Sequence, residues 1–219
     1  MERWSALGNV YLIGTEAPGN AGDTDGILEV VGHGDDWAEV RIWNPDGSLA
    51  EMSGNGTRIA ARWLSARTGR EQVTIRVGRR EVRAQMLSQD LVEQDLGQVE
   101  ISEPDEIEGL TVTRVSVGNP HAVVRGDPDD LPRIGPLLET HAAFPNRTNV
   151  QVARADGPHD ATARVWERGV GETASSGTSA VAVAAALGLD PATIHFPGGD
   201  LLVRFDGRRA FLTGSAVRV

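Results

Sequence analysis

The sequence predicts an α+β chain of two pseudo-symmetric halves, each a strand-rich, barrel-like sheet around one central buried helix, with a site in the cleft between them. Three observations predict it. One pattern occurs twice: R-I-W-N-P-D-G-S-L-A-E-M-S-G-N-G-T-R-I-A-A-R-W-L from Arg41, and R-V-W-E-R-G-V-G-E-T-A-S-S-G-T-S-A-V-A-V-A-A-A-L from Arg164. In both copies Arg–apolar–Trp leads, at the same distance, to Ser-Gly, at Ser53-Gly54 and Ser176-Gly177. The run after each Ser-Gly is small and apolar, and the second is almost all Ala and Val, which marks a helix buried on every side. Short alternating runs, not βαβ units, surround both helices.

The elements follow in order. Leu7 to Gly14 reads as a strand with Asn9 near its start. Residues 16–26 are rich in Gly, Asp and Pro and read as a loop. Ile27 to Val31 and Trp37 to Trp43 are strands, and Asn44-Pro45-Asp46-Gly47 is a turn, because Pro presets one dihedral and Gly accepts positive φ. Gly54 to Arg67 is a helix with Ile59, Ala60, Trp63 and Leu64 on one face; Arg58, Arg62 and Arg67 are expected to reach solvent. Thr68-Gly69 ends it. Val73 to Val77 and Glu81 to Met86 form a hairpin, Leu91 to Val99 fits no single pattern, and Val99 to Ile101 fits a strand. The acidic stretch from Pro104 to Gly109 sets the boundary, giving halves of residues 1–108 and 109–219.

The second half opens with a strand from Leu110 to Val117, a turn at Gly118-Asn119-Pro120-His121 and a strand from Ala122 to Val124. Leu131 to Thr140 is a short helix, and Thr148 to Ala153 and Ala161 to Trp166 are strands. Ser176 to Leu187 is the second central helix, closed by Gly188; Leu201 to Phe205 and Ala210 to Val217 form a hairpin at Asp206-Gly207.

Composition narrows the function. With 219 residues, 40% hydrophobic and 24% charged, the chain is an ordinary globular protein. A net charge of −10 argues against nucleic-acid partners. No apolar run reaches the length of a membrane span, and Met1-Glu2-Arg3-Trp4 does not read as a signal peptide, so a cytoplasmic location is expected. There are no cysteines, which excludes disulfides and thiolate metal sites. The histidines, at 33, 121, 141, 159 and 195, lack metal-ligand spacing, and no metal is expected.

A helix start exposes backbone N–H groups and partial positive charge, and adjacent glycine lets a ligand approach. Gly54-Asn55-Gly56 and Gly177-Thr178-Ser179 thus offer two sites for a carboxylate or phosphate. Taken singly, each serine is more simply a helix cap. The matched upstream spacing of the two copies favours a site, although common descent accounts for the repeat as well. Neither copy is a Walker loop or a dinucleotide fingerprint.

The ordered stretches L-G-N, N-P-D-G-S-x-x-E-M-S-G-N-G-T-R, G-N-P-H, F-P-N-R-T-N-V, E-R-G-V-G-E-T-x-x-S-G-T, G-G-D-L and L-T-G-S-A, spanning nearly the whole chain, resemble diaminopimelate epimerase, of the pyridoxal-independent amino-acid racemase and epimerase group. The resemblance implies two pseudo-symmetric halves and a cofactor-independent epimerisation of diaminopimelate, LL to meso, in lysine biosynthesis. In that family two cysteines at the helix starts exchange the α-proton on opposite faces of the substrate, an arrangement that inversion requires. By position, Asn9, Asn44, Asn119 and Asn149 match substrate-binding asparagines, and Glu167 with Arg168 matches the pair that holds the distal amino-carboxylate. Gly54 and Asn55, with Gly177 and Thr178, match the donors to the α-carboxylate, whose developing charge they stabilise. His121 and Glu167 match residues that flank and tune the catalytic pair. His121 also reads as a hydrogen-bonded turn histidine, and Glu167 with Arg168 as a surface ion pair. The expected partner is the amino-acid substrate; a homodimer is compatible with the sequence.

The catalytic pair itself departs from the family: Ser53 and Ser176 stand where cysteines should. A thiol near pKa 8.5 is tuned to thiolate by a helix start, whereas a hydroxyl is far less acidic and needs a base beside it. Three readings account for the serines: replacement of both cysteines, a natural serine variant with slow or altered chemistry, or an amino-acid-binding protein that kept the pocket. Replacement is preferred, because serine is isosteric and both changes fall on the catalytic pair alone. A proline racemase-like enzyme or a dehydratase is the alternative activity. The loop after the first strand, about Thr15 to Gly26, is also short for the family.

Overall fold

A computed structural model of the chain describes residues 1–16, 19–50 and 52–219. Ala17 and Pro18 of the expected loop, and Glu51 of the first repeat, lie outside the described residues. The chain forms two compact units: Met1–Leu96 with Thr213–Val219, and Gly97–Leu212.

In the first unit β1 (Glu2–Ala6) and β2 (Asn9–Gly14) form a hairpin. Its two-residue turn is Leu7-Gly8, with φ of 50° and 84°, the positive-φ geometry whose twist matches a tight hairpin. β2 runs parallel to β3 (Gly26–His33), which pairs antiparallel with β4 (Trp37–Trp43). β5 (Leu49–Ala50) folds back on β4. The chain then passes through α1 (Gly54–Thr68) to β6 (Gln72–Val77), parallel to β4, and on to β7 (Arg80–Met86) and β8 (Leu91–Gln98) by antiparallel steps. α1 packs against β1, β2, β4, β6 and β7. Ile59, Ala60, Trp63 and Leu64 from the helix meet Ile13, Leu28, Ile42 and Ile75 from the strands in one buried core. β19 (Val217–Arg218) returns to pair with β1.

The second unit begins with β9 (Glu100–Ile101) and β10 (Asp105–Ile107), both antiparallel to β11 (Leu110–Ser116). β11 pairs antiparallel with β12 (Pro120–Arg125). A 3₁₀ turn and α2 (Leu131–Glu139) carry the chain to β13 (Asn149–Ala155), parallel to β12. β14 (Asp160–Glu167) and β15 (Gly171–Thr173) follow by antiparallel steps. α3 (Gly177–Leu187) leads to β16 (Ala192–Phe196), parallel to β14, and then to β17 (Gly199–Asp206) and β18 (Arg209–Ser215). α3 packs against β11, β12, β13, β14, β16 and β17, so its Ala and Val residues other than Ala185 are buried.

The repeat in the sequence is a repeat in topology. From β2 to β7 and from β12 to β17 the pairings run parallel, antiparallel, antiparallel, parallel across the helix, and antiparallel again. This is the expected α+β class, each unit strand-rich around a central helix.

Several details differ from expectation. The boundary expected at residues 108 and 109 differs from this division, because β9 and β10 pair with β11 and so place residues 97–108 in the second unit. Pairing of β19 with β1 returns residues 213–219 to the first. Pro120 and His121, expected in a turn, open β12 instead. Arg58, expected at the surface, is fully buried, while Arg62 and Arg67 do reach solvent. Its guanidinium turns back along α1, where Nη2 donates to Asn55 Oδ1 at 2.8 Å and Nε to the Ser215 carbonyl at 3.0 Å. Those acceptors partly replace lost water, though Nη1 has no partner and burial lowers the guanidinium pKa to about 10.

Candidate functional site

Each unit presents one helix start. Ser53 is extended (φ −140°, ψ 119°), and its Oγ accepts from Gly56 N at 2.9 Å, satisfying one of the otherwise unpaired donors of α1. Gly56 leaves room for this: a Cβ there would stand 3.0 Å from Leu28 Cδ2 and 3.2 Å from Ser53 Oγ. The Tyr11 hydroxyl lies 3.3 Å from the same Oγ. Tyr11 shares the buried face of β2 with Asn9, because side chains alternate along a strand. Gly54 and Asn55 are buried at N1 and N2 of α1, and the Asn55 side chain accepts from Arg58. Asn44 lies in the turn after β4, where its Nδ2 donates to Ser48 Oγ at 3.0 Å.

Ser176 has the same backbone (φ −147°, ψ 126°), but its side chain makes no capping bond. Around this helix start Asn119, His121, Asn149, Arg168 and Thr178 of the expected residues form one network. Asn119 Nδ2 donates to Thr178 Oγ1 at 3.3 Å, and Asn119 Oδ1 lies 3.0 Å from His121 Nε2. His121 Nδ1 lies 3.0 Å from Gln151 Nε2, which also donates to Ser179 Oγ at 2.9 Å. His121 is 1% exposed, and burial, with the Arg168 charge reinforcing it and the Gln151 bond opposing it, pushes its pKa down to about 3. The ring is therefore neutral, with Nε2–H donating to Asn119 and Nδ1 accepting from Gln151. Both nitrogens are engaged, so this arrangement fits orientation of Asn119 and α3 better than proton exchange.

Asn149 joins this network to the Gly-rich turn. Its Nδ2 donates to the Pro120 carbonyl and its Oδ1 accepts from Arg168 N, both at 2.9 Å. Arg168 Nη1 donates to the Asn146 carbonyl at 3.2 Å, and Thr173 Oγ1 donates to Glu167 Oε1 at 2.7 Å. Glu167 and Arg168 are each half-buried.

The second unit thus brings together Asn119, His121, Asn149, Arg168 and Thr178, with Ser176, Gly177 and Glu167 adjoining in the chain. The first brings Ser53, Gly54 and Asn55 to one helix start. Sequence reasoning passed over Tyr11, Arg58, Gln151, Thr173 and Glu139. Alternation along L-G-N-V-Y places Tyr11 on the face of Asn9, and alternation along N-V-Q places Gln151 on the face of Asn149; the others depend on contacts distant in sequence. Among the described residues, no group of three or more His, Cys, Asp or Glu could hold a metal, and no helix is long and apolar enough to cross a membrane.

Comparison with known proteins adds identity to this geometry. The sequence model of the family described as diaminopimelate epimerase matches residues 113–219. A diaminopimelate epimerase from Synechococcus sp. is 37% identical over 217 residues, covering 82% of this chain and 75% of the relative. One from Thermosynechococcus vestitus is 34% identical over 235 residues, covering 89% and 82%. Among solved structures, a predicted epimerase from Pseudomonas aeruginosa superposes with a TM-score of 0.74 at 17% identity, covering 100% of this chain and 96% of the other. A hydroxyproline epimerase from Agrobacterium vitis with bound trans-4-hydroxy-L-proline does so with a TM-score of 0.74 at 15% identity, covering 100% and 88%. At such identities these two structures establish a shared fold.

Proposed function

The chain belongs to the diaminopimelate epimerase family, and on that premise we propose that its substrate is diaminopimelate, interconverted between LL and meso forms by proton transfer at one α-carbon. Family membership makes it an amino-acid epimerase, an isomerase of lysine biosynthesis. The observation that carries the substrate-level reading is the matched pair of helix starts. Ser53 and Ser176 share one backbone conformation and stand at the same place in two copies of one topology.

In this reading positions 53 and 176 are the acid and the base, and the helix-start N–H groups hold the α-carboxylate and the charge that develops on it. One group removes the α-proton, leaving the electron pair delocalised into the carboxylate, and the other returns a proton to the opposite face. Glu167 and Arg168 take the distal amino-carboxylate. Serine at both positions removes the acidic thiols, so the chain as it stands binds substrate and turns it over poorly, if at all.

The test is solvent-deuterium exchange at the α-carbon of diaminopimelate. Ser53→Cys with Ser176→Cys is expected to raise exchange and epimerisation well above the serine form. A double variant that binds diaminopimelate yet exchanges no proton overturns the reading. One observation favours a second reading, amino-acid binding without catalysis: Ser53 Oγ serves as a helix cap for Gly56. That reading expects calorimetric binding and no exchange even with both cysteines present.

A further inference from the structure

Glu139 ends α2 in the second unit and is 6% exposed. Buried carboxylates persist only when their oxygens are well supplied with donors. Here Oε1 accepts from Gly169 N at 2.7 Å and from Arg147, while Oε2 accepts from Trp166 Nε1 at 2.7 Å. The Glu139 carbonyl also accepts from Thr148 N at 3.2 Å. Burial would raise the carboxyl pKa, but the Gly169, Trp166 and Arg147 contacts together hold it below the usual range.

Two of these donors, Trp166 and Gly169, bracket Glu167 and Arg168 in sequence, and Asn149 holds the Arg168 backbone between them. Resting on the diaminopimelate reading, we propose that Glu139 is a positioning residue: it clamps the 166–169 turn so that Glu167 and Arg168 present the distal-end subsite. Its effect is therefore on which end of the ligand is recognised, not on the reacting carbon.

Glu139→Gln tests this with little change of volume. Whichever way the amide turns, its NH₂ faces another donor, either Trp166 Nε1 or Gly169 N, so one side of the clamp opens. Calorimetry would compare diaminopimelate with 2-aminoheptanoate, which has the same chain length but no distal amino-carboxylate. The variant is expected to lose about tenfold or more in affinity for diaminopimelate and to keep its affinity for 2-aminoheptanoate. Amide exchange at Gly169 should quicken in parallel. Equal loss for both ligands, or no loss for either, overturns the proposal. If the unsubstituted chain binds neither ligand, the substrate reading falls; unchanged Gly169 exchange in the variant then overturns the clamp as well, and faster exchange upholds it. If Glu139→Gln does not fold, Arg147→Gln, which frees the carboxylate on one side only, is expected to show a smaller selective loss, about threefold; no selectivity in that loss overturns the proposal.

Discussion

The Tyr11 hydroxyl stands 3.3 Å from Ser53 Oγ, an atom that already receives the N–H of Gly56 at 2.9 Å. Position 53 therefore has one fixed donor, the Gly56 N–H, and beside it a hydroxyl able to donate to a thiolate. In the Ser53→Cys variant those donors favour the thiolate, so alkylation by iodoacetamide is expected to titrate with a midpoint below the ordinary thiol value of about 8.5. Adding Tyr11→Phe should raise that midpoint by roughly half a pH unit or more. An unchanged midpoint would show that Tyr11 does not act on the residue at 53.

Arg58 contributes at longer range. Its buried guanidinium is bonded to Asn55, two residues from position 53, and charge in the interior is poorly screened. Arg58→Met in the Ser53→Cys background is expected to raise the thiol midpoint and weaken diaminopimelate binding, read by alkylation and calorimetry respectively.

Gly135 lies in α2 directly against Trp166. A Cβ at this position would stand 2.8 Å from Trp166 Cβ and Cγ. Helix propensity alone favours alanine over glycine by about 1 kcal/mol, but overpacking costs about 1–3 kcal/mol and here falls near the root of an aromatic side chain. Gly135→Ala is thus expected to lower stability in urea denaturation and, by moving Trp166, to weaken diaminopimelate binding.

His121 predicts an acid-sensitive fold. Its folded pKa of about 3 lies below the ordinary 6.5, so between those values the unfolded chain holds a proton that the folded chain does not. Its stabilising contribution is full above pH 6.5 and declines on acidification. From pH 7 to pH 5 the chain should lose about 1–2 kcal/mol more than His121→Gln does, measured by urea unfolding at each pH. His195 acts in the opposite direction. Its bond to Asp200 at 2.8 Å, with Asp160 beyond, outweighs burial and raises its pKa above 6.5. Its contribution is full below pH 6.5 and is lost as pH rises through the folded value, outside the window assigned to His121.

The parts legible in the sequence were those fixed by local pattern. The helix expected over 54–67 is found over 54–68, and the second, expected over 176–187, over 177–187, because Ser caps, small residues and closing glycines are local signals. β1, β5, β10, β15 and β16 have no counterpart in that reading. The three residues Gly171–Thr173 carry no pattern of their own, and their strand geometry comes from pairing with β14. Arg58 was misplaced because its partner carbonyl, Ser215, lies 157 residues away. Of the proposed site, motif matching named Asn119, His121, Asn149, Glu167 and Arg168, and it passed over Gln151, Thr173 and Glu139, which hydrogen-bond to His121, to Glu167 and to the Gly169 backbone.

The return of β19 to β1 has a consequence for biosynthesis. Residues 97–212 are contiguous, whereas the first unit needs residues 213–219, which a ribosome adds only after all of the second unit. The first unit therefore depends on the last residues made, and amino-to-carboxyl folding cannot complete it before the second. The second unit contains all of its own residues without that tail, whereas without it Arg58 lacks the Ser215 carbonyl and β1 lacks its edge partner. A free chain truncated after residue 212 is expected to hold a closed second unit and an open first one, a state that limited proteolysis would reveal as selective cutting within residues 1–96.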